Sequence, residues 1–256
     1  MILFRLTLSE QISYYRAMSF DSITTILFDL DGTLLPMDQD QFATRYFELF
    51  GQHCASLGYD AERTSSALMA GFMAMMNNDG SSTNKGRFDR VFSQESQIDS
   101  DQFNQRFAPF YDHQFQQLKV VSRPSALSAQ ILSYLHRRGY ELILATSPLF
   151  PRQATLARIA WAGLDPSLFS QITTYETCRY TKPHLGYYRS ILEEAGRSAD
   201  QCMMVGNDVE EDMVVQVLGI DTYLVTDCLI NRHDRDLTPF RRGSLEDYYL
   251  FCKEHL

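Results

Sequence analysis

The sequence predicts an α/β fold: a doubly wound parallel sheet with helices on both faces and an all-helical module inserted after the first strand. Three observations carry this. From Pro124 onward, helical and strand-like segments alternate, which implies parallel strands joined by crossover helices. Helical patterns stop at Gly139, Gly163, Gly196 and Gly219, the residue type expected just past a helix end. Residues 36–123 break this rhythm, with aromatic and methionine side chains at helical spacing and no convincing strand.

The elements follow in order. Ile26-Leu27-Phe28 is an apolar run that reads as a buried strand. In the inserted module, Phe42, Tyr46, Phe47, Phe50 and Cys54 mark one amphipathic helix. Leu68, Phe72, Met75 and Met76 mark a second, and Phe103, Phe107, Phe110, Phe115 and Leu118 a third. Such stripes are the core of a helical bundle rather than a cofactor box. Residues 77–85, rich in Asn, Ser and Gly, read as a loop. Leu127, Ile131 and Leu135 then mark a helix, residues 141–145 a strand, and Leu156 and Ile159 a further helix. Strand-like residues 171–175, a helix over 184–195, a strand over 202–205, a helix reaching Leu218 and a strand over 222–226 complete the alternation. Tyr248, Tyr249 and Phe251 read as the core face of a final helix. The chain thus divides into a core of residues 18–35 and 124–256 and an inserted helical module of residues 36–123. Residues 1–17 form a peripheral segment, either an additional helix or sequence upstream of a start at Met18.

Composition narrows the function. Of the 256 residues, 45% are hydrophobic, enough for a proper core. A net charge of −9 argues against a nucleic-acid partner, which needs clustered Lys and Arg. No apolar run is long enough to span a membrane, and Arg5 and Glu10 make the N-terminus a poor signal peptide. The five cysteines are odd in number and include no Cys-x-x-Cys pair, which fits reduced thiols and a cytoplasmic location. The oligomeric state is left open.

Asp29-Leu30-Asp31-Gly32-Thr33 directly follows the first strand. Two carboxylates two residues apart on extended chain point to one side, and the C-terminal strand ends of an open α/β sheet are where ligands bind. Alone the stretch could be an Asp-Gly turn, and it does not meet the calcium-loop spacing. Gly206-Asn207-Asp208-Val209-Glu210-Glu211-Asp212 follows a later strand. It reads as a helix start, with Asp208 as N-cap and Glu211 as its capping-box partner, or as an oxygen site for a hard divalent cation. The readings are compatible. Ser147 could cap a helix with Pro148 at its first position, or Thr146 and Ser147 could face a phosphate. Lys182, before Pro183, is extended; a lone lysine is usually a solvated one.

Together, Asp-x-Asp-Gly-Thr, a strand ending in Thr146, Lys182-Pro183 and Gly-Asn-Asp-x-x-x-Asp resemble, in order, the four signature elements of the haloacid dehalogenase-like (HAD) hydrolase superfamily. The resemblance covers roughly residues 20–35 and 124–240. Ala145-Thr146-Ser147-Pro148-Leu149-Phe150-Pro151 is similar to the phosphatase-like group with Ala-Thr-Asn-Pro-Leu-Phe-Pro, Ser147 standing where Asn is common. The helical insert resembles a type 1 cap, and the implied core is Rossmann-like. The resemblance implies a phosphatase of a small phosphorylated metabolite with Asp29 as nucleophile, Asp31 as general acid and base, and Mg²⁺ as cofactor. Asp29, the Asp31 carbonyl, Asp208 and Asp212 would hold the metal. Lys182 and Thr146, with the Ser147 and Leu30 backbone N–H groups, would hold the phosphate. Dehalogenase members lack the second acid, so Asp31 favours phosphatase chemistry. Phosphotransfer to a sugar would need a cap group that activates the acceptor, and His53 and His113 read as incidental. A phosphate-binding module without turnover is disfavoured because every catalytic position is filled. Asn84, Lys85 and Arg87 are candidates for substrate contact, set below a solvated loop.

Overall fold

The computed structural model describes residues 20–256; the peripheral segment 1–17 lies outside the described residues. Strands β1 (Thr25–Phe28), β2 (Glu141–Leu144), β3 (Gln171–Ile172), β4 (Cys202–Gly206), β5 (Asp221–Val225) and β6 (Arg242–Gly243) form one sheet in the order β3-β2-β1-β4-β5-β6, every pair parallel. The expected Rossmann-like parallel architecture is present. The chain leaves β1 toward β2 on one side and returns to β4 on the other, so β1 lies at the topological switch point where such sheets bind ligands.

The strand period assigns the faces. Ile26 and Phe28 pack toward α6 (Ala126–Arg137) and α9 (Leu245–His255), where Ile131, Leu135, Leu245 and Tyr248 are buried. Leu27 points the other way, toward Tyr187, Tyr188 and Ile191 of α8 (Leu185–Ala195). Both faces are covered, which explains why β1 and β4 are buried at every position rather than alternating.

Between β1 and α6 run α1 (Gln39–Ser56), α2 (Ala61–Met76), α3 (Asn84–Ser96), α4 (Ser100–Phe107), α5 (Pro109–Asp112) and a 3₁₀ segment, Phe115–Val121. Their N-termini are capped by Asp38, Asp60, Thr83 and Asp99 at α1 to α4, each side chain accepting a backbone N–H at 2.9–3.1 Å. The two crossings into this layer run side by side: the Arg123 amide donates to the Pro36 carbonyl at 2.7 Å, and Met37 bridges Ser122. Among the described residues no helix is long and apolar enough to cross a membrane.

Several local expectations change. The third cap helix is three pieces, because Pro109 starts a new turn after Phe107 and the chain tightens to 3₁₀ beyond Gln114. An unanticipated helix, α3, begins at Asn84, so Asn84, Lys85 and Arg87 are helical rather than a solvated loop. The helix expected after Asp212 is a 3₁₀ segment, Met213–Leu218, consistent with the low helix propensity of Val214, Val215 and Val217. Residues 173–175 lie beyond the short β3. Ser147 is not an N-cap: α7 spans Arg152–Trp161 with Pro151 before it, and Glu176 accepts the Arg152 N–H at 2.9 Å.

Candidate active site

The predicted acids meet at the C-terminal edge of the three central strands. Asp29 follows β1 directly, its amide donating to the Val205 carbonyl of β4 at 2.9 Å. Gly32 makes the turn that follows, with φ at +90°; a Cβ there would strike the Asn207 side chain. Thr33 then lies with its hydroxyl 3.0 Å from Asn207 Oδ1 and 3.3 Å from Asp29 Oδ2, locking the first motif to the loop after β4.

Lys182 joins the acids. Its Nζ donates to Asp29 Oδ1 at 2.8 Å and to Asp212 Oδ1 at 2.6 Å, and all three side chains are buried. Burial disfavours the ammonium, yet Asp212 and Asp29 together hold its pKa well above the lysine value. Burial raises the Asp29 carboxyl, with Lys182 pulling against it, and pushes Asp212 up to about 6. The Asp212 oxygens, like those of Asp29 and Asp208, are both engaged: Oδ2 accepts the Asp208 amide at 3.0 Å. Asp212 holds Lys182 and the 208 loop in place. Its close approach to the end of β4 needs Gly206, where a Cβ would overlap the carboxyl.

Asp208 Oδ1 accepts the Glu210 and Glu211 amides at 2.8 and 2.9 Å, but it closes a turn rather than capping a helix: the 3₁₀ segment begins only at Met213, and the expected capping box with Glu211 is not formed. Its Oδ2 contacts Arg232 Nη1 at 2.7 Å. Thr146 is buried beyond β2, its carbonyl held by the Thr173 hydroxyl at 2.7 Å and the Tyr187 hydroxyl at 2.9 Å. Ser147 lines the cavity into which these acids open, and the Leu30 amide bonds the Asp29 carboxyl.

Two residues were not anticipated from sequence. Arg158, on α7, is buried with its guanidinium paired to Asp31 Oδ2 and placed 4.9 Å over the Phe150 ring. Burial raises the Asp31 carboxyl, with Arg158 the main opposing influence. The other Asp31 oxygen, Oδ1, is buried without a hydrogen-bond partner. Gln39, at the start of α1, donates to the Asp31 carbonyl at 2.6 Å, so the insert touches the first motif directly.

The acids open into a cavity of about 320 Å³ between the sheet edge and the helical insert. Asn84, Lys85 and Arg87 are not on its wall. Asn84 is fully buried and bonds the Pro148 and Tyr180 carbonyls at 3.2 and 3.1 Å, and Lys85 pairs with Asp89. His53 is buried between Phe107 and Phe110, away from this cavity.

Among the described residues no three acidic, histidine or cysteine side chains converge into a ready-made metal cage. Asp29, Asp208 and the Asp31 carbonyl could offer oxygen atoms only, the donor chemistry of a hard cation such as Mg²⁺, which keeps several waters and takes few protein ligands.

A buried lysine between two aspartates, with a further acid two residues beyond the first, thus lies at the switch point of an α/β sheet beneath a helical insert. A haloacid dehalogenase-like hydrolase profile matches residues 23–214. The chain belongs to this family. The pyrophosphatase PpaX of Bacillus pumilus is 24% identical over 205 residues, spanning 80% of this chain and 84% of that protein. A structure described as a predicted phosphoglycolate phosphatase from Haemophilus somnus superposes with a TM-score of 0.56 at 16% identity, covering 90% of this chain and 98% of that one. A HAD hydrolase from Bacillus subtilis, YfnB, solved bound to magnesium, gives 0.53 at 20% identity, covering 90% and 99%.

Proposed function

We propose that the protein is a Mg²⁺-dependent phosphatase that hydrolyses a small-metabolite phosphate monoester through an aspartyl-phosphate on Asp29. The observation that carries this reading is the pairing of two unlike acids. Asp29 is held beside the Lys182 ammonium, whereas Asp31, on the cavity wall, pairs with Arg158 through one oxygen and keeps the other buried without a partner. The pyrophosphatase relative, the phosphoglycolate phosphatase neighbour and the magnesium-bound neighbour point the same way.

Asp29 attacks phosphorus in line, forming the acyl-phosphate as the bond to the leaving oxygen breaks. Lys182 offsets the repulsion between carboxylate and phosphate, and Asp212 fixes the lysine. Thr146, with the Ser147 and Leu30 amides, binds the transferring oxygens. Burial favours the protonated form of Asp31, which gives its proton to the departing alkoxide. The resulting carboxylate then takes a proton from water, whose oxygen attacks phosphorus and releases Asp29 and phosphate. Asp29, the Asp31 carbonyl and Asp208, supported by Asp212, would hold Mg²⁺, which would supply charge neutralisation on the phosphate. Residues 36–123 act as a cap that excludes water and selects the substrate.

Hydrolysis of an aryl phosphate tests this. Turnover should require Mg²⁺ and fall at least about 10⁴-fold in Asp29→Asn, the loss expected when a covalent nucleophile is removed. Metal-independent turnover, or full activity in the variant, would refute the proposal.

A further inference from the structure

The cavity above the acids is chemically two-sided. The core contributes the acids and the residues beyond β2. The insert contributes, apart from Gln39, an apolar wall that includes Phe42, Phe47, Met69, Phe72 and Met76. Phe150 closes the gap between the halves, its ring centroid 5.9 Å from Phe42 and 5.7 Å from Phe72. Met69 and Met76 line the cavity while remaining 47% and 46% exposed. Large apolar side chains left open beside a polar site mark a binding surface, and methionine adapts to partners of differing shape.

The charges point in the same direction. Arg158 is the one cation on the wall among the described residues, and it is engaged by Asp31 and covered by Phe150. Lys182 lies beneath, engaged by Asp29 and Asp212. The adjoining cavity of about 500 Å³ is lined by Arg123 and by Arg232, which is held by Asp208. On the wall above the acids, a second anionic group on the substrate would therefore find no cation that is not already paired with an acid.

On the phosphatase reading, which this inference requires, we propose that the substrate is a monophosphate of an apolar alcohol. Its alkyl or aromatic body lies against Phe47, Phe72, Met69 and Met76, and its only anionic group is the phosphate. This differs from the substrates named for the pyrophosphatase and phosphoglycolate phosphatase relatives, each of which carries a second anion.

The test uses the full chain with Mg²⁺ and measures phosphate release from ethyl, butyl and hexyl phosphate and from phosphoglycolate. These alkyl esters have similar leaving groups, so reactivity does not confound binding. kcat/KM should rise about fourfold for each added methylene that is buried, and phosphoglycolate should be poorer than butyl phosphate. In Met69→Ser/Met76→Ser, both changes at exposed positions, the advantage of hexyl over ethyl phosphate should shrink at least about fourfold, the effect of losing contact with one methylene. Turnover with no chain-length dependence, or a preference for phosphoglycolate, would overturn the apolar assignment and leave the phosphatase reading standing. An absence of phosphate release from every ester would overturn both.

Discussion

Asp29 and Asp31 are the same residue type two positions apart, and their surroundings make them unlike. Asp29 has a lysine on one oxygen and a threonine on the other. Asp31 has Arg158 on one oxygen and nothing on the other. Pairs of carboxylates whose environments differ in this way divide nucleophilic and acid–base roles. Arg158 therefore acts as a positioning residue that fixes the orientation of the Asp31 carboxyl on the cavity wall. Arg158→Met should lower kcat about 10²-fold, the scale of misplacing a reacting group by an ångström, with a smaller change in KM. Unchanged kcat would remove Arg158 from the account. The residue was legible in principle: Ala154, Thr155, Arg158, Ile159 and Trp161 form the buried stripe of α7, and a lone arginine on such a stripe signals a buried partner. The aspartates were easier to find because their short spacing at a strand end is local. The Asp31–Arg158 pair spans 127 residues, and nothing local encodes it.

At the level of elements, β1, β2 and β4 could be read because buried parallel strands are short apolar runs. The helix α3 was not read because it is polar over most of its surface. Phe88 and Phe92, one turn apart and preceded by the Thr83 cap, were the available signal. Helix α1 carries a testable consequence. His53 is buried with both ring nitrogens unpartnered, between Phe107 and Phe110. Burial lowers its pKa below 6.5 in the folded state. The folded protein then binds fewer protons here than the unfolded chain as pH falls below 6.5. Stability is complete above that value and declines toward the folded pKa. His53→Leu should remove this contribution, so the variant's stability relative to wild type in urea unfolding should grow between pH 7 and pH 5. A difference that is independent of pH would contradict it.

Over the whole molecule, the sheet and the insert divide the work. The sheet gathers Asp29, Thr146, Lys182 and Asp208 from four separate stretches of chain to one edge, which is why motif order was informative and why no single motif sufficed. The insert adds Gln39 on the Asp31 carbonyl and the apolar cavity wall. Those features were hidden in the sequence, because an aromatic stripe looks the same whether it faces a core or a ligand. Phe42 and Tyr46 belong to the buried core and to the cavity wall at once.

The central claim is that Asp29 becomes phosphorylated during turnover. The most direct measurement is mass spectrometry of an acid-quenched mixture of Asp31→Asn, Mg²⁺ and an aryl phosphate. Such an activated leaving group needs little protonation, so the phosphoenzyme forms, and its hydrolysis slows about 10²–10⁴-fold without the base. The account predicts one phosphoryl group on the peptide containing Asp29, removed by hydroxylamine and absent from the variant that also carries Asp29→Asn. Phosphate release with no adduct, or an adduct on another residue, would contradict it.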